Sequence, residues 1–178
     1  IGEDLLITGA GPIGLISVAI CKFIRAKNIV ITDINDYRLN LAKQLGATKT
    51  INTKKDSIKN CFDELNIKHG FDVGLEMSGN GQAFNEMLSS IYHGGKIVLL
   101  GLLPKSTCID WDNIIFKGLQ VRGVYGREMY ETWYKMDQLI KSGLDLSKVI
   151  THKFSISSFD EAFKVISSGQ CGKVIMEW

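Results

Sequence analysis

Six residues near the start of the chain, Gly9-Ala10-Gly11-Pro12-Ile13-Gly14, lie between a short apolar run, Leu5–Thr8, and a longer apolar segment. This is the G-x-G-x-x-G spacing, and each glycine has its own task. Gly9 makes a tight turn, Gly11 lets a pyrophosphate approach the backbone, and Gly14 allows a helix to pack closely on a strand. Pro12 falls at the first helical position, where its missing N–H is not needed. The amino terminus of that helix then offers free N–H groups and partial positive charge to an anion. Asp33 follows nineteen residues after Gly14, at the end of the β-branched run NIVIT. That is close to the expected place of an acid that hydrogen-bonds an adenosine ribose. A carboxylate there accepts from both ribose hydroxyls and repels a 2′-phosphate, which favours NAD over NADP. Two plainer readings stay open. Asp33 can be a cap leading the next helix, and Arg38, one turn further on, can cover the adenine or ribose edge or stand as a solvated helix arginine. Glycine-rich turns also serve S-adenosylmethionine enzymes, so a methyltransferase is an alternative that Pro12 speaks against.

The elements that must position these residues alternate. Strand-like runs at Leu5–Thr8, Asn28–Thr32, Thr50–Ile51, Phe71–Met77, Lys96–Leu100 and Leu119–Val124 are separated by helical patterns over Pro12–Arg25, Asp36–Leu45, Ser57–Ile67 and Ala83–Ile91. Gly46 closes the second of these helices at its C′ position. Strands interleaved with helices argue βαβ units and a parallel sheet. Continuous apolar strands such as KIVLL fit a sheet covered on both faces. The expected fold class is α/β: a doubly wound, six-stranded parallel Rossmann sheet, with a binding crevice where the strand order reverses.

The last third reads differently. Met129, Trp133, Met136 and Ile140 recur at helical spacing before Gly143, and such a stripe reads as core packing. A β-like segment at His152–Ile156 follows. Ser158 and Glu161 have capping-box spacing and open a helix with Phe159, Phe163 and Ile166 on one face. Gly169 stops it, and KVIMEW (Lys173–Trp178) reads as a final strand. This tail has no evident place in a six-stranded nucleotide unit. The expected division is therefore residues 1–145 for the nucleotide-binding domain and 146–178 for a segment that returns to another domain.

Composition sets bounds. With 178 residues, 45% of them hydrophobic and 22% charged, the chain can bury one sizeable core. A formal net charge of +2 shows no bias towards nucleic acid or membrane, and the cluster KTINTKK reads as a solvated edge. No apolar run reaches the roughly 18 residues that span a bilayer, and no signal peptide is recognised; the expectation is a soluble, cytoplasmic protein. Cys21, Cys61, Cys108 and Cys171 are scattered without C-x-x-C spacing and read as reduced thiols. Neither they nor His69, His93 and His152 assemble a zinc site by spacing. A first residue of Ile1 and a strand that begins almost at once read as a piece cut from something longer.

GAGPIG followed by ITDINDYRLNLAKQLGA resembles the cofactor domain of zinc-containing medium-chain alcohol dehydrogenases. FDVGLEMSG, HGGKIVLLG and above all VYGREMYETWYKMDQLIKSGLDLSKVITHKFSI resemble the branch of that superfamily that oxidises the 3-hydroxyl of L-threonine to 2-amino-3-ketobutyrate. The resemblance runs from Gly2 to the C-terminus. It implies NAD as cofactor, with Ile13, Asp33 and Arg38 near the pyrophosphate and adenosine. Leu100, Gly101 and Leu102, with Val124 and Tyr125, would line the nicotinamide end, and Ser78 and Gly79 would face the same crevice. It also implies a zinc-bearing catalytic half that these residues do not supply, so zinc is expected only in the full-length parent and no catalytic residue is assigned here. By the same resemblance the protein forms a homo-oligomer, a homotetramer, with Ser106–Ile109 placed to pair across a two-fold axis at the sheet edge. This chain alone is expected to bind NAD without turning over threonine. A polyol or secondary-alcohol dehydrogenase of the same superfamily, and a stand-alone NAD-binding module, are the competing readings.

Overall fold

The computed structural model describes residues 2–178. Six strands, β1 (Asp4–Thr8), β2 (Asn28–Asp33), β3 (Lys49–Asn52), β4 (Phe71–Glu76), β5 (Ile91–Leu99) and β6 (Gln120–Gly123), form one sheet in the order β3-β2-β1-β4-β5-β6. Every pairing in it is parallel. This is the doubly wound order, with the reversal between β1 and β4. Helices α1 (Pro12–Phe23), α2 (Asp36–Leu45), α3 (Cys61–Glu64), α4 (Gly81–Ser90) and α5 (Trp111–Phe116) fill the crossovers. Two further helices, α6 (Glu131–Lys141) and α7 (Phe159–Ser168), belong to the last third. There β7 (Ile150–Ser155) and β8 (Lys173–Glu177) make a separate parallel pair.

Strand β1 shows why the sheet is central. All five of its residues are buried, and successive side chains point to opposite faces. Leu5 and Ile7 pack with Leu15, Val18, Ile29, Ile31 and Leu39 under α1 and α2. Leu6 enters the other core, with Phe71, Phe84, Met87, Leu88 and Ile97 under α3 and α4. A strand that must satisfy two cores cannot alternate apolar with polar, which is what its sequence shows. Each such side chain contributes roughly 1.5–3 kcal/mol by leaving water.

Several local expectations are corrected. The segment expected to be helical over Ser57–Ile67 holds only a 3₁₀ turn, Ile58–Asn60, and the single turn of α3, because Asn66 takes a left-handed φ of 53°. Helix α1 ends at Phe23, two residues early, with Arg25 at φ 62°. Strand β5 begins at Ile91 rather than Lys96, since Ile91 already pairs with Phe71 before a bulge carries the chain past His93-Gly94-Gly95. Helix α5 goes unread in the sequence. Ser106–Ile109 forms no strand; the exposed edge beside β5 is β6, all four of whose residues are exposed.

The Met and aromatic stripe is not core. Helix α6 buries no residue, and Trp133 is 48% exposed, held by Arg127, whose guanidinium lies 4.9 Å from the ring centroid. Helix α7 likewise leaves Phe159, Phe163 and Ile166 exposed, and Ser158 makes no side-chain cap bond. The last third is nevertheless attached to the sheet unit. Val149 is buried in the core under α1 and α2, and the Asn35 side chain donates to the Gly169 carbonyl at 3.0 Å. Among the described residues, no helix is long and apolar enough to cross a membrane.

Candidate functional site

The glycine loop joins β1 to α1 as its spacing requires. Gly9 has φ 89°, a left-handed value that favours glycine, and its N–H donates to the Thr32 carbonyl at 2.8 Å. Gly11 is the N-cap of α1 and has open space where a side chain would stand, while a Cβ on Gly14 would overlap the Gly9 carbonyl. The loop therefore lies flat against its helix, with room above the second glycine for a bulky group. Pro12 opens α1 and Ile13 is half exposed.

Asp33 ends β2 beside this loop and is anchored there. One carboxylate oxygen accepts from the Ala10 N–H at 2.6 Å, and the other accepts from the Ile34 and Asn35 N–H groups at 2.7 and 2.9 Å. The acid thus fixes the glycine loop and the β2–α2 turn in one stroke. It does not cap α2. That place belongs to Asn35, whose side-chain oxygen accepts from the Arg38 N–H at 3.2 Å. Arg38 turns its side chain into the site, where its buried Nε has no protein partner among the described residues.

These groups border one cleft of about 550 Å³ at the carboxyl ends of β1, β2 and β4, within the roughly 300–1,000 Å³ usual for small-molecule and cofactor sites. Gly9, Gly11, Asp33 and Arg38 line it, as do Met77 and Ser78 from the end of β4. Sequence reasoning missed Lys54, Asn80, Gln82 and Glu86, which close its far wall. Asn80 had a legible signal, since it stands just before a helical pattern and caps α4 by accepting from the Ala83 N–H.

Leu100–Leu102 and Val124–Tyr125 do not line that cleft. They follow β5 and β6 along the same carboxyl edge, and hydrogen bonds connect them to it. The Leu100 and Gly101 N–H groups both donate to the Glu76 carbonyl at 3.1 Å, and the Val124 N–H donates to the Leu99 carbonyl at 2.8 Å. Gly79, with φ 66°, lies against the Leu102 carbonyl. The Tyr125 side chain is fully exposed.

Among the described residues, no three His, Cys, Asp or Glu side chains gather where they could hold a metal ion. The thiols of Cys21 and Cys61 are pushed up to about 11, chiefly by burial. They stay protonated at neutral pH, which suits core packing rather than nucleophilic or ligand chemistry.

A glycine-loop cleft at the switch point of a 3-2-1-4-5-6 sheet defines a fold, and the comparisons narrow it to a family. The model of a zinc-binding dehydrogenase matches residues 12–142. The chain belongs to the zinc-binding dehydrogenase family. Within it, the chain is 58% identical over all 178 residues to an L-threonine 3-dehydrogenase of Xanthomonas campestris and 57% identical to one of Chromobacterium violaceum. It spans about half the length, 52%, of these curated relatives. A solved alcohol dehydrogenase from E. coli CFT073, complexed with the cofactor NADH, superposes with a TM-score of 0.87 at 26% identity, over 99% of this chain and 52% of that one. The family is one of oxidoreductases, and the solved neighbour shares the fold over 99% of this chain's length.

Proposed function

We propose that this chain is the NAD-binding portion of a dehydrogenase that oxidises the 3-hydroxyl of L-threonine to 2-amino-3-ketobutyrate. The observation that carries the NAD reading is Asp33. Its carboxylate sits at the carboxyl end of β2, on the wall of the cleft that the glycine loop opens. The residues present fit a dinucleotide. Gly11 leaves open space at the amino terminus of α1, where a pyrophosphate would meet free N–H groups. Arg38 brings an unpartnered Nε to the same wall. Bound NAD would supply the hydride acceptor for the alcohol carbon. Gly9–Gly14 would hold its phosphates, Asp33 would select a free 2′-hydroxyl over a phosphate by charge, and Arg38 would cover the adenosine. Leu100–Leu102 and Val124–Tyr125 would hold the nicotinamide end through their backbone groups.

The substrate rests on the relatives named for threonine and on their identity across the whole chain. Catalytic zinc, which acts as Lewis acid on the alcohol in such enzymes, has no ligand set among the described residues, so we assign it to a half of the parent outside them. Alone, this chain then binds NAD and leaves threonine untouched. Residues 1–145 form the nucleotide unit and 146–178 the segment that returns to the catalytic half. The exposed faces of α6 and α7 are the surface that half would cover. The exposed edge of β6 would pair with a second copy in a homo-oligomeric, cytoplasmic enzyme.

The test is calorimetric titration of the chain with NAD⁺ and NADP⁺, repeated on Asp33→Ala. Clear preference for NAD⁺ that vanishes in the variant supports the cofactor reading. Equal binding of both nucleotides by the unaltered chain would sink it. For the substrate, joining the chain to its catalytic half and assaying threonine against polyols and butanediol decides; turnover of a polyol in place of threonine would overturn the assignment.

A further inference from the structure

Glu76 is a carboxylate wholly buried at the end of β4, where the strand order reverses. One of its oxygens is heavily used. It accepts from the Ser78 N–H at 2.9 Å, the Gly79 N–H at 2.9 Å, the Ser78 hydroxyl at 2.5 Å and, more weakly, the Thr8 hydroxyl at 3.4 Å. The other oxygen is buried and accepts from nothing among the described residues. It faces Gly101, on which a Cβ would overlap both this oxygen and the Gly79 N–H. The backbone of the same residue completes the pattern, because its carbonyl holds the Leu100 and Gly101 N–H groups.

A buried acceptor without a donor is costly, and its presence asks for a reason. Here the reason is geometric. Gathering three donors of the 78–79 turn on one oxygen fixes the carboxylate's orientation, and the second oxygen must then stand against Gly101. We propose that Glu76 is the positioning residue of the nicotinamide end, locking the 77–79 turn and the 100–102 loop at a fixed separation. This rests on the reading of Leu100–Leu102 as the nicotinamide side. Asp33 and Arg38 make no contact with this lock, whereas Gly9 lies against the Met77-Ser78 backbone, so the lock acts chiefly on the nicotinamide end and only weakly on the adenosine end.

Glu76→Gln tests the idea, because it keeps the shape but sets an NH₂ either against Gly101, where it has no acceptor, or among the Ser78 and Gly79 donors. Affinities for NAD⁺ and for ADP-ribose, which lacks the nicotinamide, are measured by calorimetry on the unaltered chain and the variant. The expected result is a loss of about tenfold for NAD⁺ with ADP-ribose unchanged within about twofold. Equal losses for both ligands, or no loss for either, overturn the proposal. Should Glu76→Gln fail to fold, Gly101→Ala strains the same lock from the other side; the same split is expected, and its absence is equally fatal. If the unaltered chain binds neither ligand, the cofactor reading fails instead.

Discussion

Phe71 and Phe163 are the same side chain in two halves of one molecule, and they end in opposite surroundings. Phe71 opens β4, is 0% exposed and meets Phe62 edge-on at 5.4 Å between ring centroids. Phe163 sits mid-way along α7 and is 55% exposed. Both belong to segments whose apolar spacing is regular. In β1–β5 the partner of each apolar face is another part of the same sheet unit, so spacing and burial agree. In α6 and α7 the spacing marks a face that wants cover, and nothing among the described residues supplies it. Periodicity therefore identifies the face without identifying what lies against it.

The largest expected effect tests that contrast directly. Phe71→Ala should lower unfolding free energy by about 3–5 kcal/mol, read from denaturant midpoints at constant slope. Phe163→Ser should change it by no more than about 0.5 kcal/mol. A large cost for Phe163→Ser would mean that the α7 face is already covered in solution, and the contrast between the halves would collapse.

Within the sheet half, two glycines sharpen the distinction between fold and site. Gly14→Ala drives a methyl group into the Gly9 carbonyl, so it should cost about 1–3 kcal/mol and weaken nucleotide binding as well. Gly11→Ala has open space and an ordinary φ of −67°. It should leave stability nearly unchanged while blocking the approach of a pyrophosphate to the backbone. Calorimetric binding beside thermal unfolding separates the two; equal behaviour of both variants would refute the assignment of separate tasks.

Much of this was legible before any coordinates. The strands announced themselves because a doubly covered strand must be apolar on both faces, and the glycine loop because its three glycines answer three different steric demands. Asp33 was legible in type and position. Its anchoring of the Ala10 N–H was not, since that contact spans 23 residues in sequence. Glu76 was overlooked although an acid inside FDVGLEM is itself a signal, as a carboxylate in a buried strand needs donors close by. The short α5 escaped because six residues carry too few positions to show a period, and α3 was read as part of a longer helix than it forms. The exposure of α6 could not be read at all, for the reason that Phe163 illustrates.

Lys117 ties two helices together inside the sheet half. Its ammonium donates to the carbonyls of Leu88, Ser89 and Ile91, at 2.8, 2.8 and 3.1 Å, tying the end of α4 to the end of α5. Burial holds its pKa below the usual lysine value, yet the three acceptors sit at a helix carboxyl terminus, where a cation is favoured. Lys117→Met keeps the aliphatic stem and removes the donors, so it should cost about 1–2 kcal/mol. Hydrogen exchange should show the loss at the last turn of α4 and along α5, with β1 and β2 unaffected. A uniform loss of protection would show that this tie is part of the central core.

The smallest effect contrasts two helix starts. Asn80 and Ser158 are both good capping residues, and each precedes a ten-residue helix. Asn80 accepts from the Ala83 N–H at 3.0 Å, and its extended backbone (φ −105°, ψ 123°) aims the side chain at the first turn. Ser158 ends a 3₁₀ turn with ψ near 29°, so its hydroxyl is carried away from the N–H groups it would cap. Asn80→Ala should therefore cost about 1 kcal/mol, and Ser158→Ala close to nothing. Restoring a cap at Ser158 would require an extended backbone there, which the 3₁₀ turn at Ile156–Ser158 forbids. If Ser158→Ala proved as costly as Asn80→Ala, that turn would have to unwind in solution, and the α7 face would sit differently against β7 and β8 than it does in this structure.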